Sequence, residues 1–541
     1  MYLLSNYKRY SSDIYYWLLV VLAAALPFAP YIITLCQILL VFNWLLEGNI
    51  LHKLKMVYLR KSLFIFLIIY FLHIIWCIGS HNPSDALHEL KIKLPLLVIP
   101  LIIGTSEMIQ AHKVIFLLKV FIASVTLATF ISTLIYFEVI PYKIHDIREI
   151  SVFISHIRLS LLVVIAILTL LHWVISEPSL KPQTIFLYFV LAIWLFSFLI
   201  LLKSLTGILV FTIATAILIV AFLNTINNPF LKVGLAVLLY AIPFFTAMFT
   251  INAYNKYYYT EKVDFKKLDR ATVNGNLYTH DTTSSQVENG HYVWIYICHE
   301  ELVREWNRRS KIPFSGIDNK NQTIEYTILR YMTSKGLRKD SLGVTMLTPK
   351  DIQNIEKGYT NFIFSSFNRI NARLYEVIWE IDQYKHGASP DGHSIAQRIV
   401  YSKIAISLIK KNFWFGIGTG NIPSEYKHYY TTHDTKLSKF RWWLTHNEYL
   451  RLFAIFGIFG FLIIISAFIL PAWFERKWSS YYFVMIFIIT FVSFIFEDTL
   501  ETQIGATFVA FFYSFFLWGC KKRFVNIIEH EATTYSEFLP E

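Results

Sequence analysis

Charged residues are scarce in this chain of 541 residues: Asp, Glu, Lys and Arg make up 16% of it, and hydrophobic residues make up 55%. A soluble protein of average composition carries about a quarter charged residues. Many segments also reach the roughly 17–25 apolar residues that cross a bilayer as a helix. The shortage of charge therefore excludes a large soluble protein and predicts an all-α polytopic membrane protein.

Cysteine is also rare, and its four residues are scattered along the chain without a CxxC pair. A disulfide framework or a zinc site requires regular, paired spacings. The sequence therefore indicates neither. It also lacks an internal repeat and a low-complexity tract.

Acidic residues are outnumbered by basic ones, 37 to 49, which gives a formal net charge of +12. Basic residues collect on the cytoplasmic side of membrane proteins, and this accounts for much of the excess. The pattern shows no basic stripe of the kind that follows a nucleic-acid backbone. We therefore expect no nucleic-acid partner.

Apolar runs predict about twelve transmembrane helices, and an even number places both termini on one side. The N-terminal run continues to Leu46, which is too long for a cleavable signal peptide and indicates uncleaved spans. The fourth segment is short and contains Pro95 and Pro100. The predicted segments are 14–29, 31–47, 62–80, 92–106, 114–137, 152–176, 184–202, 205–224, 231–252, 447–470, 479–497 and 503–519.

Basic clusters fix the orientation, because all of them fall on one side of this topology, which is then cytoplasmic. They contain Lys8 and Arg9, His52 to Lys61, Arg476 and Lys477, and Lys521 to Arg523. The long insert is therefore periplasmic, and we read it as a folded, mostly helical domain. Amphipathic periodicity predicts helices at 368–386 and 394–412. The predicted divisions are nine spans in 1–252, the periplasmic domain in 253–446, three spans in 447–520 and a cytoplasmic tail in 521–541.

His446 lies where the insert meets the tenth span. Thr445 and Glu448 have the spacing of a capping box, which predicts Thr445 as the N-cap and places His446 and Asn447 in the first helical turn. A helix N-terminus favours an anion such as phosphate. The alternative is that His446 is an interfacial polar residue without a task.

Arg398 lies on the predicted helix 394–412, ahead of a glycine run at 416–420. A guanidinium can hold a phosphate through two parallel hydrogen bonds and does not deprotonate. The alternative is a solvated surface arginine. The glycine run predicts a tight turn that returns the chain to the membrane, or a nest of amides that binds an anion.

Other charged residues are predicted at the same outer face. Arg158 lies within the sixth span, Arg148 lies just outside it, and Lys203 lies in the turn after the seventh span, where snorkelling to the interface is the alternative. Glu497 and Asp498 lie in the turn between the last two spans, where they either pair with an arginine or bind sugar hydroxyls. Cations gathered beside a membrane predict an anionic headgroup such as a pyrophosphate as ligand.

The segment that contains His446, Asn447, Gly457 and Gly460 resembles the signature of the bacterial O-antigen ligase and polymerase superfamily. Arg398, the sequence from Asn412 to Asn421, the large periplasmic loop and the twelve-span plan fit the same family. The resemblance implies a metal-independent, inverting glycosyl transfer without a cofactor, at the periplasmic face of the bacterial inner membrane.

The resemblance also implies substrates and roles. The donor would be a glycan on undecaprenyl pyrophosphate, and the acceptor would be lipid A–core in a ligase, a second repeat unit in a polymerase, or a protein hydroxyl in an oligosaccharyltransferase. His446 would act as general base or orient the acceptor hydroxyl, and Arg398 would bind the pyrophosphate. Asn447, Glu448, Thr445, Glu497 and Asp498 would support them.

The chain departs from the family at one position. Members often carry an arginine in a Ser-Arg-Thr/Gly-like stretch, and here the corresponding stretch reads Lys203 to Gly207 with Leu205 at the arginine position. Lys203 or Arg158 would then supply the charge. The remaining class is a transporter of lipid-linked glycans, which predicts charges at the bilayer midplane, broken helices and repeated halves.

Overall fold

The computed structural model describes residues 2–144, 146–177, 180–223, 228–365 and 369–521. Its regular structure is almost entirely helical, which confirms the all-α membrane prediction. The predicted cytoplasmic tail, 521–541, lies outside the described residues apart from Lys521. The helices are α1 Tyr2–Ala25, α2 Pro30–Leu46, α3 Ile50–Leu59, α4 Lys61–Ile75, α5 Pro83–Lys93, α6 Pro95–Thr105, α7 Ala111–Tyr136, α8 His156–Ser176, α9 Pro182–Leu201, α10 Leu205–Phe222, α11 Pro229–Tyr258, α12 His299–Arg309, α13 Ile324–Ser334, α14 Ser341–Thr345, α15 Pro349–Glu356, α16 Arg369–Lys385, α17 Ser394–Lys411, α18 Ile422–Thr432, α19 Glu448–Phe474, α20 Tyr481–Phe496 and α21 Gln503–Ser514.

Within the described ranges, seven helices are long and apolar enough to cross a membrane, or eight if α2 and α3, bent by 106°, form one broken span. The count of twelve is therefore not confirmed, although every predicted segment contains a helix. Shorter apolar helices account for part of the difference: Tyr10–Ala25, Tyr481–Phe496 and Gln503–Gly519. The seven are Lys61–Gly79, Ala111–Tyr136, His156–Ser176, Pro182–Leu201, Leu205–Phe222, Pro229–Tyr258 and Glu448–Phe474.

The chain divides into two compact units, Val237–Gln397 and the remainder. In the unit that holds most of the apolar helices, α19 packs on α4, α10 on α20, and α21 on α6. Arg60, at the start of α4, donates to the carboxylate of Glu475, at the end of α19, with an Nε–Oε1 distance of 2.8 Å. This ion pair brings together two of the loops that the basic clusters predicted to share one side.

The unit Val237–Gln397 contains α12 to α16 and a two-residue antiparallel hairpin, β1 Val287–Glu288 and β2 His291–Tyr292. Its core forms around fully buried side chains that include Leu302, Trp306 and Met332. The structure has helices at both segments where periodicity predicted them, as α16 and α17. The predicted domain limits, 253–446, stay a prediction.

Candidate active site at the start of α19

Arg398 is positioned by α17 against the end of α20. Its Nη1 donates to the carbonyl of Phe496, the last residue of α20, at 2.6 Å. Its Nη2 lies 3.7 Å from Oε2 of Glu497, and a third of the side chain is exposed. A cation is favourable at a helix C-terminus, and the guanidinium keeps further N–H donors for an anion.

His446 faces two carboxylates. Its Nδ1 lies 3.7 Å from Oε2 of Glu497 and 3.8 Å from Oδ1 of Asp498. These distances are longer than hydrogen bonds, so the contact is electrostatic. The imidazole ring lies beside the rings of Tyr401 and Trp443, with centroid distances of 6.0 and 6.2 Å. The structure therefore brings together His446, Arg398 and the turn between α20 and α21 that contains Glu497 and Asp498, which is called the acidic turn below. The sequence predicted these groups separately.

The predicted capping box is wrong. The N-cap of α19 is Asn447, whose side-chain oxygen accepts a hydrogen bond from an amide of the first turn at 2.9 Å, and Glu448 is the first helical residue. Thr445 and His446 consequently lie before the helix, not at its N-cap and in its first turn. The side-chain amide of Asn447 also donates to the carbonyl of Ile495 at 3.0 Å, which joins the start of α19 to the end of α20. This junction presents His446 to the acidic turn.

The two carboxylates differ in protonation. Burial opposes the charge of Glu497, but His446, Arg398 and Arg158 outweigh it and hold its pKa below the ordinary value. Burial and the negative charge of Glu497 raise the pKa of Asp498 to about 7. Near neutral pH the pair therefore holds one firm negative charge and one proton that is easily exchanged.

Arg158, on the membrane-spanning helix α8, reaches this cluster. Its charge acts on Glu497 and Asp498, and its side chain lines a small cavity with Thr499. Lys203 is exposed at a turn with φ of +52°, and its ammonium makes no ion pair within the described ranges. Leu205, at the family's arginine position, is 41% exposed.

Arg148 is engaged by a neighbour. Its Nε and Nη2 donate to the two oxygens of Asp146 at 2.9 and 2.8 Å. These hydrogen bonds lower the pKa of Asp146 to about 2. His156, which begins α8, is in electrostatic range of Arg148 and of Glu497. Arg148 therefore lies at the edge of the cluster and not at its centre.

The same cluster offers ligands for a metal ion, because donor atoms of His446, Glu497 and Asp498 lie within 4.8 Å of one another. An imidazole and two carboxylates are a donor set that divalent cations accept. Arg398 and Arg158, however, already place two positive charges beside Glu497, and Arg158 and Arg451 act on Asp498. The negative charge that would attract a cation is therefore largely compensated.

Sequence reasoning missed a second, buried charge cluster. Lys93 lies 2.9 Å from Glu89 and 2.8 Å from Glu501, and Arg451 lies 2.5 Å from Glu501. All four side chains are at most 11% exposed. The available signal was Arg451 inside an apolar span, since a buried arginine requires partners.

This buried cluster holds the acidic turn in place. Besides the two ion pairs of Glu501, the amide of Leu500 donates to the carboxylate of Glu448 at 2.9 Å. The turn that follows Asp498 is therefore fixed to α5 through Lys93 and to α19 through Arg451 and Glu448. The orientation of Asp498 towards His446 depends on these contacts.

The glycine run packs against a break in α19. Gly457 adopts φ +62° and ψ −172°, a conformation that is essentially restricted to glycine. The amides of Ile417 and Gly418 donate to carbonyls of α19 at 2.9 and 3.0 Å, and the amide of Gly420 donates to Glu89 at 2.8 Å. These amides have partners within the protein, so the tight-turn interpretation holds and the anion nest is wrong. The two glycine-containing motifs form one backbone junction.

Comparison with protein families finds a match between residues 358–465 and the model described as O-antigen ligase. A search of curated proteins finds no match. The matched segment contains Arg398, the glycine run, His446 and the glycines of α19, whereas Glu497 and Asp498 lie beyond it. The match confirms the resemblance of this multi-pass membrane protein to the O-antigen ligase and polymerase superfamily, whose members are membrane glycosyltransferase-type enzymes.

Proposed function

We propose that this protein is an O-antigen ligase-type glycosyltransferase that moves a glycan from undecaprenyl pyrophosphate to an acceptor hydroxyl such as that of lipid A–core. One observation carries the proposal: His446 and Arg398, both in the family-matched segment, contact the same carboxylate, that of Glu497, where a membrane-spanning helix begins. The reaction takes place at the periplasmic face of the inner membrane, and both termini are cytoplasmic.

His446 acts as the general base in this proposal. The acceptor O–H gives its proton to the ring nitrogen opposite Nδ1, the acceptor oxygen attacks the anomeric carbon, and the bond from that carbon to the pyrophosphate oxygen breaks. Attack opposite the leaving group inverts the anomeric configuration. Glu497 and Asp498, on the Nδ1 side, orient the imidazole and stabilise its positive charge.

Arg398 and Arg158 stabilise the departing pyrophosphate. Both act on Glu497 in the resting structure, and part of the Arg398 guanidinium is exposed. Fixed positive charges stabilise the negative charge that develops on the leaving group in the transition state, and they accelerate group transfer without a metal. Because the two guanidinium groups already compensate the carboxylates, the proposed reaction is metal-independent.

Reconstitution in proteoliposomes with a lipid-linked glycan and lipid A–core tests this proposal. We expect His446→Ala and Arg398→Ala each to lower transfer by at least about 100-fold, the size of a lost general base or charge contact. His428→Ala, on α18, and Lys410→Ala, on α17, which also carries Arg398, are matched controls that should retain transfer because both side chains are exposed. Normal transfer by both site variants would refute the mechanism, and loss of transfer in EDTA would refute its metal independence.

A polymerase is the second candidate, because the same residues would serve a second repeat unit as acceptor. Supplying the donor with and without lipid A–core separates the two reactions. Growth of the lipid-linked chain without lipid A–core would identify a polymerase, and transfer to a supplied protein would identify an oligosaccharyltransferase. Flipping of the donor without any transfer would identify a transporter.

A further inference from the structure

An open cavity of about 360 Å³ lies beside the candidate active site, between the end of α18 and the segment that leads to His446. Tyr430 and Trp442 form one wall, and their rings stack with a centroid distance of 5.1 Å and an interplanar angle of 7°. Hydroxyl and charged side chains, which include Thr431, Asp434, Thr435 and Lys436, line much of the rest, together with His433 and Leu437.

The cavity wall is connected to His446 through the backbone. The hydroxyl of Tyr430 donates to the carbonyl of Trp443 at 2.7 Å, and the hydroxyl of Tyr401 donates to the carbonyl of Arg441 at 2.9 Å. These bonds fix the segment from Arg441 to Trp443 between α17 and α18. The ring of Trp443 then lies beside that of His446. The segment from Arg441 to Trp443, which these hydrogen bonds fix in place, therefore lies between the cavity and the proposed base, His446.

The lining favours a saccharide over the other parts of the substrates. An aromatic wall with hydroxyl, carboxylate and ammonium groups matches the apolar face and the hydroxyls of a sugar ring. The carboxylate of Asp434 disfavours a pyrophosphate, and the exposure of residues 431–434 disfavours a lipid chain. Arg398 and Arg158, which suit the phosphates, belong to the other cluster, around Glu497.

We infer that this cavity binds a sugar of the acceptor, whose attacking hydroxyl then extends past the segment Arg441 to Trp443 to His446, the proposed base. The inference rests on the proposed function, and it places the acceptor, one of the two substrates, in the cavity beside Tyr430 and Trp442. Trp442 and Asp434 then bind the acceptor sugar and take no part in proton transfer or in breaking the bond to the pyrophosphate. The expected signature is a change in the KM for acceptor alone.

Steady-state transfer with Trp442→Ala and Asp434→Asn tests the inference. We expect the KM for lipid A–core to rise about fivefold or more, which corresponds to one lost polar or ring contact, while the KM for donor and the kcat stay near the wild-type values. Phe440→Ala is the matched control, since Phe440 is a neighbouring aromatic residue that is 76% exposed and lies outside the cavity. Asp434 is exposed, so its variant is expected to fold even if Trp442→Ala does not.

Three outcomes would overturn the inference: an unchanged KM for acceptor in Asp434→Asn, a rise in the KM for donor instead, or an equal effect of Phe440→Ala, which would indicate a general membrane-surface role. Direct binding of detergent-solubilised lipid A–core, measured by thermophoresis, tests the cavity without requiring transfer activity, so failure of the site and failure of the proposed function can be distinguished. If the wild type transfers no glycan, the proposed function fails. Weaker binding by the two cavity variants would still support the site, and unchanged binding would overturn it.

Discussion

His446 derives its chemical character from residues that are distant in the sequence. The acidic turn faces its Nδ1, and Tyr401 and Trp443 flank its ring. A base that is oriented by a carboxylate keeps its other ring nitrogen directed at the substrate, which is the arrangement that general-base catalysis requires. At the scale of the residue, the important quantity is therefore the protonation of the facing carboxylates.

Asp498 should make the stability of the protein depend on pH. Its pKa rises on folding from the ordinary 3.8 to about 7, so the folded state holds a proton that the unfolded state has released between these values. The contribution of Asp498 to the free energy of unfolding should therefore fall as the pH rises from about 4 to about 7. The stability of Asp498→Asn relative to the wild type should accordingly increase across that range, as measured by thermal unfolding in detergent.

Asp13→Asn is the matched control, because the Asp13 carboxylate is 62% exposed. It should leave the pH dependence of the wild type unchanged. An Asp498→Asn variant whose stability differs from that of the wild type by the same amount at pH 4 and at pH 7 would contradict the assignment to Asp498.

At the scale of the element, α19 is two helical segments joined at Gly457. A Cβ at this position would lie 2.3 Å from the carbonyl atoms of Trp414, so the loop before α18 approaches the helix at a distance that only glycine permits. The amide of Ile458 donates to the carbonyl of Phe413 at 2.8 Å across the same break. The glycine motif therefore sets the position of the loop that follows α17, the helix of Arg398.

Gly457→Ala should disrupt this junction. The new methyl group clashes with backbone, and the left-handed φ adds strain, which together should cost at least about 1–3 kcal/mol of stability. We expect lower transfer activity and a lower melting temperature in detergent. Gly234→Ala, in α11, is the control, because its Cβ would meet nothing within 4 Å. Equal behaviour of the two variants would show that the break in α19 is not required.

At the scale of the whole molecule, buried ion pairs connect elements that are far apart in the chain. Glu89 and Lys93 of α5, Arg451 of α19 and Glu501 of the last turn share one cluster. Removing one partner from such a cluster leaves charge buried and unpaired, which is much more costly than losing a surface pair. The cluster should therefore be critical both for folding and for the position of the acidic turn.

Arg451→Met should lower the free energy of unfolding by about 3–5 kcal/mol, because Glu89 and Glu501 each lose one of the two cations that pair with them. Lys113→Met removes the exposed pair with Asp13 and should cost about 1 kcal/mol or less. The comparison is made by thermal or denaturant unfolding in detergent. A loss for Arg451→Met no larger than that for Lys113→Met would show that the buried cluster contributes little.

Several features of the fold and of the candidate site could be predicted because they are local. Apolar run length predicted the membrane helices, and 3.6-residue periodicity predicted α16 and α17. The cap of α19 was mispredicted because Thr445 and Asn447 are both good N-cap residues, and the contact of Asn447 with Ile495 of α20 favours the later start. Glu89 and Lys93 were missed because their partners, Arg451 and Glu501, lie more than 350 residues away.

The sequence by itself determined the helical membrane class, the superfamily resemblance and the residue types available for glycosyl transfer. Hydrophobicity and motif spacing are properties of a continuous stretch of chain, and they can be read without its contacts. Only the tertiary structure decided which charges far apart in the sequence share a neighbourhood: Arg158 with the acidic turn, and Arg451 with Glu501. Electrostatic energy depends on distances between side chains, and folding alone sets those distances.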